Sequence, residues 1–210
     1  MSVSEHELPP IPFSVEAAEV KPRIEDSVLV DGLVDALRAD GIEVSTSLEE
    51  RTNESRDWWP LSIVWALDNT TGARAGAIVR PKNTEEVSVV LRRCNETRTP
   101  VVAAGGRSGV SGGVVPVQGG VLLDLRALEG VIDVDTTSMI LDVRAGTFGD
   151  DLEATLQSEH GVTVGHWPQS MSLATVGGWL ACRGAGQLST RYGKIEDIVL
   201  GLDVVLANGE

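Results

Sequence analysis

Between residues 100 and 113 the chain reads Pro100-Val101-Val102-Ala103-Ala104-Gly105-Gly106-Arg107-Ser108-Gly109-Val110-Ser111-Gly112-Gly113. Glycine tolerates positive φ and lets successive main-chain N–H groups converge on one point, a concavity of donors that suits an anion and above all a diphosphate. Ser108 and Ser111 add hydroxyl donors, and Arg107 adds a fixed positive charge. A tight surface connection that needs glycine for its turns fits the same residues. The Rossmann G-x-G-x-x-G pattern is absent, and so is the P-loop, since Gly193-Lys194 is followed by Ile195. A second glycine-bearing stretch, Gly165-His166-Trp167-Pro168-Gln169-Ser170 and then Ala174-Thr175-Val176-Gly177-Gly178-Trp179, places small residues where a ligand or another backbone can come close. His166 is the titratable group there, either a loop hydrogen bonder or an acid–base group.

The elements that must position these stretches follow from periodicity. Ser27 is expected to cap a helix with apolar positions Leu29, Val30, Leu33, Val34 and Leu37, ended by Gly41. Trp58, Trp59 and Trp65 are read as core or inter-lobe packing. Ala77 to Pro81 is a short strand, Thr84 caps a helix with core face Val87, Val90, Leu91 and Cys94, and Pro100 starts the strand that feeds the glycine loop. Strand, helix, strand over so short a distance is a βαβ unit, so the two strands are expected to be parallel. Val121 to Leu125 is a strand, and Val131–Asp135 with Met139–Arg144 alternate about a polar turn as an antiparallel hairpin. Thr147 with Asp150 resembles a cap for a helix carrying Leu152 and Leu156 and closed by Gly161; Thr175 caps a further short helix. Ile198 to Leu206 reads as a strand running into the hairpin signal Asn208-Gly209, which makes residues 1–210 the expected front part of a longer protein.

Composition narrows the function classes. Lys+Arg 17 against Asp+Glu 31 leaves a net charge of −14, which argues against a nucleic-acid or anionic-membrane partner. Cys94 and Cys182 lack metal-like spacing and read as reduced thiols, and His6, His160 and His166 form no ligand cluster, so no metal is expected. Glu5 and Glu7 stand where a signal peptide needs basic residues, and no apolar run reaches membrane-spanning length; a cytoplasmic location is expected. Residues 1–26 read as an extended lead-in, poorly ordered unless covered. Residues 27–210 read as one domain of two lobes, about 27–112 and 113–210.

With both glycine stretches in view, and Tyr192-Gly193-Lys194-Ile195-Glu196-Asp197-Ile198 after them, residues 31–210 resemble the flavin domain of the vanillyl-alcohol oxidase (PCMH-type) FAD family. Within it the likeness is to the alkyldihydroxyacetonephosphate synthase branch and its neighbours, the D-lactate and glycolate dehydrogenases. The resemblance implies an α+β fold, a small parallel βαβ lobe against a larger, mainly antiparallel sheet with flanking helices, with FAD between them. It implies that main-chain donors of Ala103, Ala104, Gly105, Gly106, Arg107, Ser108, Gly109 and Val110, with Ser111, hold the diphosphate. Pro168, Gln169, Ser170, Ala174, Thr175, Gly177 and Gly178, with Ala181, Cys182, Arg183 and Gly184, would line the ribityl and ring portion, and Ile195 and Ile198 the adenine side. Arg107 stands where covalently flavinylated relatives carry histidine, which implies non-covalent FAD. Gln169 replaces a frequent aspartate of the synthase, and Cys182-Arg183-Gly184 departs from its usual sequence, so the substrate stays open: a small hydroxy acid to be oxidised, or a lipid-precursor ester of dihydroxyacetone phosphate, with chemistry at flavin N5. Catalytic residues and the substrate domain are expected beyond Glu210, and the fragment by itself is expected to be inactive. Two other readings remain open at this stage, a non-catalytic nucleotide- or anion-binding module without flavin and a structural unit whose glycines serve turns.

Overall fold

The computed structural model describes residues 11–26, 29 and 31–210. In chain order the elements are β1 (Lys21–Pro22), α1 (Leu33–Ala39), β2 (Glu43–Ser45), α2 (Leu48–Glu54), α3 (Pro60–Leu67), β3 (Thr70–Thr71), β4 (Ala77–Arg80), α4 (Thr84–Thr97), β5 (Val101–Ala104), β6 (Val121–Asp124), β7 (Val131–Asp135), β8 (Ile140–Val143), α5 (Gly149–Thr155), a π-helical turn at Leu156–His160, α6 (Val176–Ala181), α7 (Ser189–Tyr192) and α8 (Ile195–Ile198). The architecture is α+β.

One sheet has the order β2-β4-β6-β5. β4 and β5 are parallel, as the βαβ spacing requires, but they do not pair with each other: both pair with β6, which lies between them. The helical crossover through α4 therefore skips one place, and the glycine loop is the return path that brings the chain back to fill it. Ile78, Val79, Val121 and Leu122 are fully covered on both faces, as near-continuous apolar runs in a parallel sheet demand. Each such side chain contributes about 1.5–3 kcal/mol of burial. Val87, Val90 and Cys94 of α4, with Leu33 and Leu37 of α1, close one face. Because β6 belongs to this sheet, the first core extends past the lobe boundary expected near residue 112.

The second core gathers Leu152, Leu156, Met171, Ala174, Trp179 and Ile195, with Val131, Val134, Leu141 and Val143 of the β7–β8 ladder packed against it. That ladder is antiparallel, and its turn is held by the Asp135 carboxylate, which accepts the N–H groups of Thr137 (2.9 Å) and Ser138 (3.1 Å). Among the described residues no helix is long and apolar enough to cross a membrane.

Several local expectations are corrected. The expected cap Ser27 and core position Val30 lie outside the described residues; α1 begins after Gly32, whose φ of 78° suits glycine, and Gly41 (φ 85°) follows its end. Asn83 rather than Thr84 caps α4, its side chain accepting the Glu86 N–H at 2.8 Å. Thr147 does not cap α5: its hydroxyl donates to the Arg144 carbonyl and accepts from Gly130 N–H, tying the segment to the start of β7 instead. Ile198 ends α8, and residues 199–206 form no strand, with Leu200, Leu202 and Val204 more than 60% exposed. Only the turn at Asn208-Gly209 forms, with Leu206 N–H donating to Glu210. Residues 11–26, mostly exposed, are tied down at several points: β1 pairs with β3, and Arg56 donates to the Ile11 carbonyl at 2.9 Å and lies over the Phe13 ring.

Candidate functional site

The glycine loop leaves β5 at the carboxyl end of the parallel strands, beside Asp124 of β6, the edge at which open parallel sheets offer a crevice to ligands. No N–H from Gly105 to Ser111 donates to a partner among the described residues, and neither the Ser108 nor the Ser111 hydroxyl does. Gly105, Gly106, Ser108 and Gly109 are half-buried while Val110 and Ser111 are exposed. Buried or half-buried N–H groups are almost always paired, so a consecutive run without an internal acceptor is a set of donors waiting for an anion or water. This fits a diphosphate.

The glycines have a second reason. A Cβ on Gly106 would stand 2.9 Å from the Leu173 carbonyl carbon, closer still to its oxygen, and 3.0 Å from the Phe148 ring; one on Gly105 would overlap the Thr175 hydroxyl. A Cβ on Gly112, at φ 76°, would meet the Trp59 ring at 2.6 Å. These three glycines let the loop lie flat on the protein, rather than giving a ligand room. Gly109 and Gly113 are free of such demands, since a Cβ would touch Asp57 at 3.5 Å in the first and nothing within 4 Å in the second.

The loop thus meets the second stretch directly. Thr175 caps α6, its hydroxyl accepting Gly178 N–H at 3.3 Å, and its backbone bridges to Phe148. Gly149 N–H donates to Ala174 and Gly177 N–H to Ala145, so Ala174, Thr175 and Gly177 are stitched onto the start of α5. Pro168 is buried, Gln169 exposed and Ser170 half-buried before them. Ala181 at the end of α6 and Cys182 and Arg183 after it are exposed, and Arg183 pairs with Glu196 at 3.0 Å. Gly184 accepts Ile195 N–H and lies against His166. Ile195 is 4% exposed in the second core, so its side chain faces inward; Ile198 is half-buried.

Two side chains differ from their expected roles. Arg107 does not offer its charge to an outside anion. Its backbone is left-handed (φ 56°), and its guanidinium is buried against the Glu54 carboxylate, the end of an alternating chain in which Glu54 also takes Arg126 (2.9 Å), Arg126 takes Asp124 (2.6 Å) and Arg80 links Asp124 (3.4 Å) to Glu50 (2.5 Å). Burial, with Arg126 nearby, lowers the Arg107 pKa to about 9, so it stays charged at neutral pH. His166 is 1% exposed, and neither ring nitrogen has a partner among the described residues; its ring meets Trp179 edge-on at 4.9 Å. Burial lowers its pKa and so favours the neutral imidazole, and the loop hydrogen bond expected of it has no partner among the described residues.

Glu54, Asp57 and Phe148 were not legible as site residues. Asp57 is fully buried, its Oδ1 accepts Trp59 N–H at 3.1 Å and its Oδ2 lies beside Gly109; burial raises its pKa, offset in part by the N–H groups of Trp59, Val114 and Gly112. Trp59 packs edge-on to Trp65 at 5.4 Å, and both, like Trp58, are half-buried and outside the hydrophobic cores. Among the described residues no group of three His, Cys, Asp or Glu side chains is placed to hold a metal ion.

Residues 75–210 match the FAD binding domain family. The chain is 33% identical over 150 residues to the glycolate oxidase subunit GlcD of Bacillus subtilis, covering 70% of this chain and 32% of that protein. It is 35% identical over 157 residues to the D-lactate dehydrogenase of Archaeoglobus fulgidus, covering 72% of this chain and 35% of that one. A solved alkyldihydroxyacetonephosphate synthase superposes with a TM-score of 0.79 at 25% identity, over 91% of this chain and 36% of the other. The chain therefore spans about a third of the length of the relatives it matches.

Proposed function

The chain belongs to the FAD-binding domain family, and from that premise we propose that the main-chain N–H groups of residues 105–111 hold the diphosphate of FAD while residues 168–184 receive its flavin end. The observation that carries this reading is the consecutive run of N–H groups without an acceptor among the described residues, placed where the parallel strands end and where the two glycine-bearing stretches meet. Val110 and Ser111, with Ser108, offer the open part of the arc; Gly105 and Gly106 are anchored against Thr175 and Leu173, which sets the distance between the two stretches. In the second stretch Gly177 is glycine because Ala145 lies 2.9 Å from where its Cβ would stand, so the flavin end would meet the exposed Gln169, Ala181, Cys182 and Arg183 of that stretch. Bound there, FAD would supply a two-electron redox centre at N5.

Attachment is non-covalent on this reading, because the loop carries Arg107, turned inward onto Glu54, and no nucleophile among residues 103–111 beyond the two serine hydroxyls. The intact enzyme would act on a small 2-hydroxy acid, as the names of the glycolate oxidase subunit and D-lactate dehydrogenase suggest, or perform the ether-forming exchange of the synthase. Substrate contacts and acid–base groups would come from outside residues 1–210.

Adding FAD to the purified chain tests this. Uptake is expected to quench flavin fluorescence and to raise the melting temperature, with about 2.7 kcal/mol of stabilisation at a free FAD concentration one hundred times Kd. Denaturation is expected to release all the flavin into the soluble fraction as intact FAD. A chain that takes up no FAD, with no thermal shift at millimolar ligand, refutes the reading.

A further inference from the structure

The residues that hold the glycine loop from beneath come from one short stretch, Glu54 to Trp59, at the end of α2 and the entrance to α3. Glu54, 7% exposed, accepts the Arg107 guanidinium. The Asp57 carboxylate accepts the Trp59 N–H at 3.1 Å and its other oxygen lies beside Gly109. The Trp59 ring fills the space beside Gly112 that any side chain there would need. The loop is thus held by its ion pair at residue 107 and packed on Trp59 at residue 112, and between these points lie the N–H groups of Ser108, Gly109, Val110 and Ser111, which have no acceptor among the described residues.

We propose that Glu54 and Arg107 act as one latch that positions the diphosphate-binding arc, without either side chain touching the ligand. The proposal rests on the reading that residues 105–111 hold the diphosphate. Its physical basis is the left-handed backbone of Arg107. A non-glycine residue avoids that region and stays in it only where its surroundings over-determine it. Here the over-determining contact is a buried ion pair: without Glu54 the Arg107 charge loses that partner, while without Arg107 the Glu54 carboxylate keeps Arg126. Released from Glu54, Arg107 relaxes toward negative φ and the following peptide turns, carrying the Ser108 N–H out of the arc. Arg126 shares the Glu54 carboxylate (2.9 Å) and is itself held by Asp124, so the latch is braced against the carboxyl edge of the sheet and moves with it. A preorganised set of donors binds without a further ordering cost, and a loosened one does not.

The test titrates ADP and FAD separately into the wild-type chain, Glu54→Gln, Arg107→Met and the double variant, by calorimetry at a temperature well below the melting point of each. There the chain is folded in every case, so lost stability by itself does not move the affinity. Each single variant is expected to weaken both ligands by the same factor, about 10- to 100-fold, the range seen when the outer partners of a binding group are removed. The double variant is expected to weaken them no further, because the two side chains form one unit. Should one single variant fail to fold, the other breaks the same pair from the opposite side. Unchanged ADP affinity in a folded Glu54→Gln or Arg107→Met chain overturns the proposal, and so do losses that multiply in the double variant. A wild-type chain that binds neither ADP nor FAD sinks the cofactor reading itself, and this one with it.

Discussion

Replacing Gly106 by alanine separates two explanations of why the loop is glycine-rich. One is that a side chain would block the diphosphate; the other is that it would force the loop off the second stretch. The structure supports the second. The new methyl would stand 2.9 Å from the Leu173 carbonyl carbon and 3.0 Å from the Phe148 ring, and Phe148 is only 7% exposed. The Leu173 contact is backbone, fixed in turn by the bridge from Thr175 to Phe148, so no rotamer change relieves it. Gly106 is not left-handed, so conformational strain does not enter. Overpacking of this kind costs about 1–3 kcal/mol. For a domain of this size each kcal/mol lowers the melting temperature by about 2–4 °C, so the ligand-free variant is expected to melt roughly 2–12 °C below wild type. Gly113→Ala is the control, since nothing lies within 4 Å of its added carbon and its φ is not left-handed; it is expected to melt with wild type or slightly above. Thermal melts of the ligand-free chains by circular dichroism, followed by FAD titration, decide the matter. If Gly106→Ala melts with wild type yet no longer takes up FAD, the packing argument is wrong and the direct-approach argument is right.

Other consequences are open to simple measurement. Thr175→Ala removes the α6 cap and is expected to cost about 1 kcal/mol in a chemical denaturation series; an unchanged midpoint would mean that the 3.3 Å bond to Gly178 contributes nothing. Burial pushes the Asp124 carboxyl up, but the hydrogen bonds and charge of Arg126, with Arg107 behind, outweigh it and hold its pKa below the usual carboxylate value. A depressed folded-state pKa gives stability that is present above the unfolded pKa, about 4, and lost as pH falls through the folded one. Melting temperature is therefore expected to drop steeply below about pH 4, and a profile flat through that range contradicts the buried network. Burial raises the Cys94 thiol pKa to about 11, whereas Cys182 is exposed. A disulfide-exchange reagent is expected to titrate one thiol in the native chain and both after denaturation, and fast reaction of both in the native chain would contradict the first core.

Much of the local structure was legible because it depends on residues a few positions apart. The strand Val101–Ala104, the hairpin held by Asp135, the Thr175 cap and the turn at Asn208-Gly209 each follow from short-range chemistry. The spaced glycine motifs identified the cofactor class for the same reason. Their order and spacing are visible in the chain before anything is known of what packs around them. One-position errors such as Asn83 for Thr84 show how finely two adjacent polar residues compete for a cap.

What tertiary structure alone decided concerns partners far apart in the chain. Nothing local says that β6 slips between β4 and β5, because that choice depends on burying both faces of the sheet at once. Nothing local says that Arg107 turns inward, because its partner Glu54 lies 53 positions away. The same charge that reads as an anion receptor in the sequence becomes, once desolvated, a group that must be neutralised inside the protein. Nothing local says either that Gly105 and Gly106 must be glycine because Thr175 and Leu173 lie against them. The sequence determines which backbone groups are able to face an anion; only the folded chain decides which side chains hold them there, because that depends on burial, and burial is a property of the whole.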